Sequence, residues 1–497
     1  ISYSVTGVQT CALPISVNDR TQARAELTTG PEGLFVFPSL QPGMYTVTVE
    51  APGFRKSVIH NVELNVSVAT TQRVKLEVGQ VTESVVVEAE AVRVQTADAQ
   101  LGRSVTMRDI DTLPQLSRSP ITLAVFQPGV VANAGDTSFA YVNGTRQGSN
   151  NTTLDGIDVN DAVAPRLGLA MNANNTDSIG EFRMVTNGGK AEYGRNAGGQ
   201  VELITRSGTN QFHGNLFDYH RNTVLNANNF FNNASKVARP KYIQNLFGGS
   251  LGGPVIKNKT FFFFNYQGSQ VAQEVVRNRT VPTVLMKQGI YQWRAPGSTT
   301  ISTFNIAQND PRGRGMDKEV AKIWALYPNP NNFDVGDGLN YAGFRFNNPA
   351  GSNSNQYTGK ADHNLKDGHH LFFRYSWFKS FSIDSLNSAD ATFPGQPQGN
   401  QGGVRSGYSA GSNWVITPTL VNELRVGTQS ADIAFNRPGR LPGPMLITNY
   451  FTDPLNPAFP QGRNSPVFEL TDNLTKLKGA HTIKFGGQHR YTKQYGY

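Results

Sequence analysis

The sequence predicts a mainly β protein in three parts: a small β-sandwich, a mixed α+β domain, and the N-terminal part of a large antiparallel transmembrane β-barrel, which is incomplete. Three observations carry this. The 497-residue chain is poor in charge, at 16%, and rich in Gly (50), Phe (29) and Tyr (17), whereas soluble domains average about 25% charged residues. Apolar and aromatic residues alternate with polar ones over long stretches, the period-2 signature of strands with one apolar face. Residues 284–354 and 432–465 are Pro/Gly/Asn-rich connections of a length uncommon in compact domains but usual on one rim of a barrel.

The composition also excludes classes. No run of about 18 apolar residues is present, so no transmembrane helix is expected. Aromatics at 10% are too many for a disordered chain. A single Cys rules out a disulfide scaffold. The net charge of +9 arises from 45 Lys+Arg against 36 Asp+Glu. The basic residues are scattered along strands rather than clustered, so lumen lining or an anionic outer surface accounts for them and nucleic acid does not.

Taken in order, residues 1–16 stand apart. Residues 5–16 resemble the translation of a sequencing-adaptor oligonucleotide, and no basic or apolar leader precedes them. They are expected to be a cloning scar, with the true N-terminus lost and the chain an internal fragment. Residues 17–80 read as short strands: Leu34-Phe35-Val36-Phe37, then Tyr45, Val47 and Val49 alternating with Thr46 and Thr48, separated by the turn Leu40-Gln41-Pro42-Gly43. Residues 81–94 form a linker. Residues 95–205 mix a helix-and-loop texture near Met107-Arg108-Asp109-Ile110 with short β pieces such as Leu154-Asp155-Gly156-Ile157-Asp158, joined by Gly/Asn turns. From 206 to 497 long alternating strands dominate. Leu371, Phe373, Tyr375 and Trp377 share one face, and Lys366-Asp367-Gly368 and Leu477-Lys478-Gly479 mark tight hairpin ends. Each run is about the 9–11 residues that cross a bilayer as a tilted strand.

Two motifs resemble known families. The first is Gly33-Leu34-Phe35-Val36-Phe37, Leu40-Gln41-Pro42-Gly43-Met44-Tyr45-Thr46-Val47 and Ala51-Pro52-Gly53-Phe54. It is similar to the carboxypeptidase regulatory-like domain, which implies a transthyretin-like sandwich without catalytic residues. The second is Ser178-Ile179-Gly180-Glu181-Phe182-Arg183-Met184-Val185-Thr186, Ala191-Glu192-Tyr193-Gly194-Arg195 and Thr205-Arg206-Ser207-Gly208-Thr209-Asn210-Gln211-Phe212-His213-Gly214. It resembles TonB-dependent outer-membrane receptors where their plug domain meets the barrel; a sandwich before the plug is the arrangement of the Oar-like members. The resemblance implies a Gram-negative outer-membrane location, a plugged barrel of about 22 strands, and most of that barrel beyond Tyr497, since about nine spans are legible here. It also implies uptake of a ligand driven by an inner-membrane TonB-type energy-coupling protein, with outer-membrane lipid as surroundings. The ligand class (iron chelate, oligosaccharide or peptide) stays open. No cofactor, catalytic residue or metal site is expected.

Coupling is expected by β-augmentation onto an extended segment. Glu83, Ser84, Val85, Val86 and Val87, running on to Glu88-Ala89, resemble a TonB box; the other reading of this segment is the last strand of the sandwich. Asn143, Arg146, Asp155 and Asp158 fall on plug segments with no ligand contact assigned. An outer-membrane adhesion or matrix-binding protein, its barrel merely displaying loops, is the alternative from another class. A secreted glycan-active enzyme would need paired carboxylates, and no such pair is visible.

Other signals carry less. Gly248-Gly249-Ser250-Leu251-Gly252 matches a nucleophile elbow, but Gly253-Pro254 follows where a helix is required. His363, His369, His370 and Asp362 fit no zinc spacing, and His369-His370 reads as a solvated hairpin tip. Asp334-Val335-Gly336-Asp337-Gly338 lacks the acidic positions of a calcium loop. Phe261-Phe262-Phe263-Phe264 reads as a lipid-facing aromatic strand, and residues 226–233 as a polar Asn-rich loop.

Overall fold

The structure is a computed structural model. It describes every residue except 1, 7–11, 30–32, 38–39, 67, 69, 80–83, 89–99, 106, 113–118, 134–135, 168–174, 190, 193, 195–196, 235, 386–389, 438–449, 456–459, 479–480 and 497. Two sheets enclose the N-terminal core. One orders Leu34–Val36, Ser2–Thr6 and Thr71–Lys75; the other orders Arg24–Glu26, Leu13–Asn18, Gly43–Glu50, Lys56–Leu64 and Ser84–Glu88. Tyr45, Val47 and Val49 turn inward beside Ile59, Val62 and Leu64, and Phe35 and Val74 meet them from the facing sheet. The alternation read from the sequence places these side chains.

Ser2–Thr6 and Leu13–Asn18 both pair within this sandwich. The second of these strands sits against its own pattern. Ser16 and Asn18 are buried opposite Val47 and Tyr45, while Ile15 and Val17 lie half-buried opposite Thr48 and Thr46. Ser16 Oγ is left without a hydrogen-bond partner. Ser84–Glu88 is the outermost strand of the five-stranded sheet, parallel to Lys56–Leu64, and Glu83 lies outside the described residues.

The next domain is built on a second five-stranded sheet, in the order Ile157–Asp158, Asn151–Leu154, Gln200–Thr205, Ile179–Asn187 and Leu101–Val105. Phe182, Met184, Val201 and Leu203 face Ile110 of the helix Met107–Thr112, together with Ile121 and Leu123 of the 3-10 segment Pro120–Phe126. The helix-and-loop texture near residue 107 corresponds to these pieces.

The rest of the chain forms a thirteen-stranded sheet. Its main strands are antiparallel and run from His213–Arg221 to His481–Thr492. The longest, Thr260–Pro282, has 23 residues, more than the roughly 9–11 that a tilted crossing requires. The surplus extends at one end only. There the strands are joined by the long connections 222–241, 283–351, 384–399 and 437–466; at the other end the joints 257–259, 367–368 and 418–419 are tight. Gly368, at φ 71°, makes one of these turns. Residue 479, expected in another such turn, lies outside the described residues. Short turns face the periplasm and long loops the exterior in outer-membrane barrels. Among the described residues no helix is long and apolar enough to cross a membrane.

Register gives the wall two chemistries. Leu251, Phe264, Tyr375, Tyr408, Phe468 and Tyr491 lie on one cross-strand row and are 38% to 52% exposed. The row one residue away carries Lys360, Arg374, Ser409, Gly427, Glu469 and Arg490. A period of two makes any row and its neighbour face opposite sides, so the first row meets lipid and the second the lumen. The Phe261–Phe264 stripe is split in the same way. Phe264 points outward, whereas Phe261 and Phe263 are buried on the inner side, so only half of it serves as the expected lipid-facing surface.

Candidate functional site

One hairpin of the plug carries acidic residues to the wall. Leu154 pairs with Ile157, and between them Asp155 (φ 52°) and Gly156 (φ 85°) form a two-residue turn with both φ values positive, the geometry that Asp-Gly favours. The turn abuts the barrel: a Cβ on Gly156 would lie 3.4 Å from Arg425 Cγ, and one on Gly427 would lie 2.8 Å from Ile157 Cγ1. Glycine at both positions allows this approach.

At the tip, Asp155 is buried between two cations of the wall. Its Oδ2 lies 2.8 Å from Arg374 Nε and its Oδ1 3.6 Å from Lys360 Nζ. Thr205 also donates to it, from its backbone N–H at 3.0 Å and its hydroxyl at 2.6 Å. Lys360 and Arg374 are direct cross-strand partners, only 6% and 2% exposed. Like charges opposite one another destabilise a sheet, and the plug's carboxylate, set between the two cations, relieves that repulsion. Burial would raise the Asp155 carboxyl, but the two cations and the Thr205 donors outweigh it and hold it below its ordinary value.

Two further carboxylates extend the contact. Asp158 pairs with Arg490, and its backbone N–H donates to Glu469 Oε2 at 3.3 Å; Glu469 and Arg490 are themselves cross-strand partners. Asn160 bonds back to Asp158 Oδ1 from its backbone N–H at 2.8 Å and its side chain at 2.9 Å, which orients that carboxylate. Asp161 meets Arg463 Nη2 at 3.0 Å and accepts from the N–H groups of Val163 and Ala164. These donors outweigh burial and lower its carboxyl. Within seven residues the plug thus presents three buried acids to basic wall residues. The arrangement seats the plug on the wall by ion pairs.

Of the residues singled out in the sequence, Asp155 and Asp158 come together here. Asn143 instead donates to the Thr186 carbonyl at 2.7 Å, and Arg146 precedes a short 3-10 turn. The basic partners Lys360, Arg374, Arg463 and Arg490 carry no signal in the sequence, because their convergence depends on strand register. Ser84–Val87 lie far along the chain from this site, in the sandwich edge, with Val86 61% exposed.

The sandwich rests on the tight-turn end. Asn210 N–H donates to the Arg20 carbonyl at 3.1 Å, Val415 packs against the sandwich core, and Gln41 Nε2 lies 2.9 Å from the His370 ring. His370 Nε2 is 3.2 Å from Asp362 Oδ1. The expected solvated histidine is therefore a docking residue, because the sandwich covers it. Burial pushes the Tyr45 phenol up to about 12, so it stays a donor to the Gln41 carbonyl at 2.8 Å and fixes the loop that carries Gln41.

Two family models match this chain. The family model described as outer membrane beta barrel domain matches residues 204–497, and that of the carboxypeptidase regulatory-like domain matches residues 14–77. The TonB-dependent transporter Oar of Myxococcus xanthus is 25% identical over 260 residues, which is 50% of this chain and 24% of that protein. The chain thus spans about a quarter of that curated relative. The outer-membrane transporter YddB of Escherichia coli has a TM-score of 0.49 at 12% identity, over 80% of this chain and 48% of that one. The siderophore receptor PirA of Acinetobacter baumannii has a TM-score of 0.47 at 14% identity, over 79% and 48%. With the barrel model covering more than half of its residues, the chain belongs to the outer-membrane β-barrel family, as an outer-membrane homologue of the Oar TonB-dependent transporter that carries a carboxypeptidase regulatory-like domain.

Proposed function

We propose that this chain belongs to a receptor that takes up a ligand across the outer membrane under force from an inner-membrane TonB-type energy-coupling protein. The observation that carries the reading is the ionic seat of the plug. A stopper held in a lumen by Asp155, Asp158 and Asp161 against basic wall residues is fixed at rest yet releasable, because each pair broken under load is re-formed when the load ends. Such a device needs no covalent chemistry, in keeping with relatives that are transporters and receptors rather than enzymes. It does need an external pull, since the outer membrane has no nucleotide supply of its own.

The grip is assigned to Ser84–Val87, with Glu83 beside them. This strand lies at a sheet edge, is rich in β-branched residues, and leads along the chain to the plug. An extended partner segment can add to such an edge by backbone hydrogen bonds. Proline cannot donate to a ladder. Val86→Pro is therefore expected to abolish uptake while leaving ligand binding at the cell surface unchanged, measured in turn with an iron chelate, an oligosaccharide and a peptide, with and without a protonophore. Uptake at the normal rate by the variant would remove the coupling assignment, and accumulation indifferent to the protonophore would favour a surface-adhesion role.

A further inference from the structure

Near its long-loop end the strand Thr260–Pro282 carries Arg277 and Arg279 on the same face as Phe263 and Asn265, the lumen side. Phe346 and Phe344 of the neighbouring strand stand directly opposite them, and Asn348 is on that face too. All of this is occupied by the chain itself. Asp390, from the connection 384–399, is fully buried, with Oδ2 2.6 Å from Arg277 Nε and Oδ1 3.2 Å from Arg279 Nη2. Asn348 Nδ2 donates to Asp390 Oδ2 and to the Ala391 carbonyl, both at 2.9 Å. Three residues on, Phe393 inserts edge-on between Tyr327, at 5.6 Å, and Phe344, at 6.1 Å. A surface connection thus places one carboxylate on two guanidiniums and one ring in an aromatic cleft.

Two features distinguish this from an ordinary loop anchor. Among these three groups two cations share one anion, and Arg279 Nε has no hydrogen-bond partner. Paired guanidiniums match the planar, bidentate geometry of a carboxylate. We infer that Arg277, Arg279 and Asn348, with the cleft of Phe344 and Tyr327, form a binding site for a ligand bearing a carboxylate next to an aromatic ring, and that Asp390 and Phe393 are its internal occupants until the ligand displaces them. The inference rests on the transport reading only in taking the long-loop end of the lumen as the ligand-facing side. Displacement lowers apparent affinity by the fraction of time the loop is away, so weakening the internal occupant tightens the external one. The connection also has an anchor that survives displacement: Asp384 at its base pairs with Arg437 at 2.6 Å, which keeps the departed loop close.

The test is a titration of the full chain in detergent micelles with benzoate, and with benzamide as the uncharged isostere, followed by ligand-observed NMR. Asp390→Asn is expected to tighten benzoate at least tenfold and to leave benzamide unchanged. Arg277→Gln combined with Arg279→Gln is expected to abolish benzoate binding. Asp390→Glu, which keeps the internal anion, should bind benzoate as weakly as the unmodified chain and shows that the charge, rather than a loosened loop, is responsible. Equal benzoate affinity in the unmodified chain and Asp390→Asn, or binding that survives loss of both arginines, would overturn the site. The titration needs no energised membrane, so its failure leaves the transport reading standing, and failure of the Val86→Pro experiment leaves this site standing.

Discussion

The barrel holds its two companion domains by opposite means. In the lumen the plug is gripped by buried charge, with Asp155 between Lys360 and Arg374 and Asp161 on Arg463. At the tight-turn rim the sandwich is held, among the described residues, by the polar contact to His370, the backbone hydrogen bond to Arg20, and the apolar packing of Val415. The difference is one of strength. Removing one partner of a buried ion pair costs about 3–5 kcal/mol, while a neutral hydrogen bond contributes roughly 1 kcal/mol. A pull that arrives through the sandwich edge therefore meets the weaker attachment before the stronger one.

The largest expected effect removes the charge that defines the lumen contact. Asp155→Asn keeps the volume and the Thr205 neighbour but leaves Lys360 and Arg374 face to face with no anion between them. The plug is expected to lose about 3–5 kcal/mol against denaturant, measured as the urea midpoint of plug unfolding inside a barrel that stays folded on heat-modifiability gels. Acid should imitate the mutation. The carboxyl is lowered in the folded state, so its contribution is complete above the ordinary carboxylate value of about 4 and disappears as pH falls below it. A variant as stable as the unmodified chain would show that solvent, not Asp155, compensates the two cations.

Half of this contact is legible in the sequence. Asp155-Gly156 reads from the residues alone as a turn joining short β pieces, because Asp-Gly favours the two positive φ values of a tight turn. Its basic partners are not legible, since Lys360, Arg374 and Arg490 come from three strands and converge only through cross-strand register. The sandwich and the alternating barrel rows follow from period-2 patterning. The 284–354 stretch reads only as a long loop, yet it contains the hairpin Ile290–Arg294 with Ile301–Asn305 and the helix Lys318–Ala325. Asp317, which accepts from the Glu319 and Val320 N–H groups, is the available capping signal for that helix. His370 reads wrongly as solvated because its cover, the sandwich, lies 329 residues away in sequence.

A second experiment sharpens the comparison through a carboxyl that joins sandwich to plug. Glu181 of the plug accepts the Val66 N–H at 3.0 Å. Burial pushes it up to about 7; the nearby Glu63 adds to this, while the Val66 N–H, Ser104 and Arg183 oppose it. Between its ordinary 4.5 and about 7 the folded chain holds a proton that the unfolded chain has released, so stability falls as pH rises through that window and is flat above it. The folded state should be more stable at pH 5 than at pH 8, by on the order of 3 kcal/mol at most, read from urea midpoints. Glu181→Gln should remove the slope, and a slope that persists would assign it to another group.

The smallest effect lies at the rim, and it distinguishes the two attachments most directly. Gln41→Ala deletes the contact to His370 but leaves the Asp362 pairing of that histidine in place, so no charge is stranded. The loss should be about 1 kcal/mol, seen as faster hydrogen exchange in Leu13–Asn18 and Gly43–Glu50 with the plug strands Ile179–Asn187 and Gln200–Thr205 unaffected. The sandwich would then loosen on the barrel without disturbing the ionic seat. If the plug strands exchanged faster as well, the two attachments would be one cooperative unit, and a pull on the sandwich edge would reach Asp155 directly instead of first spending itself at the rim.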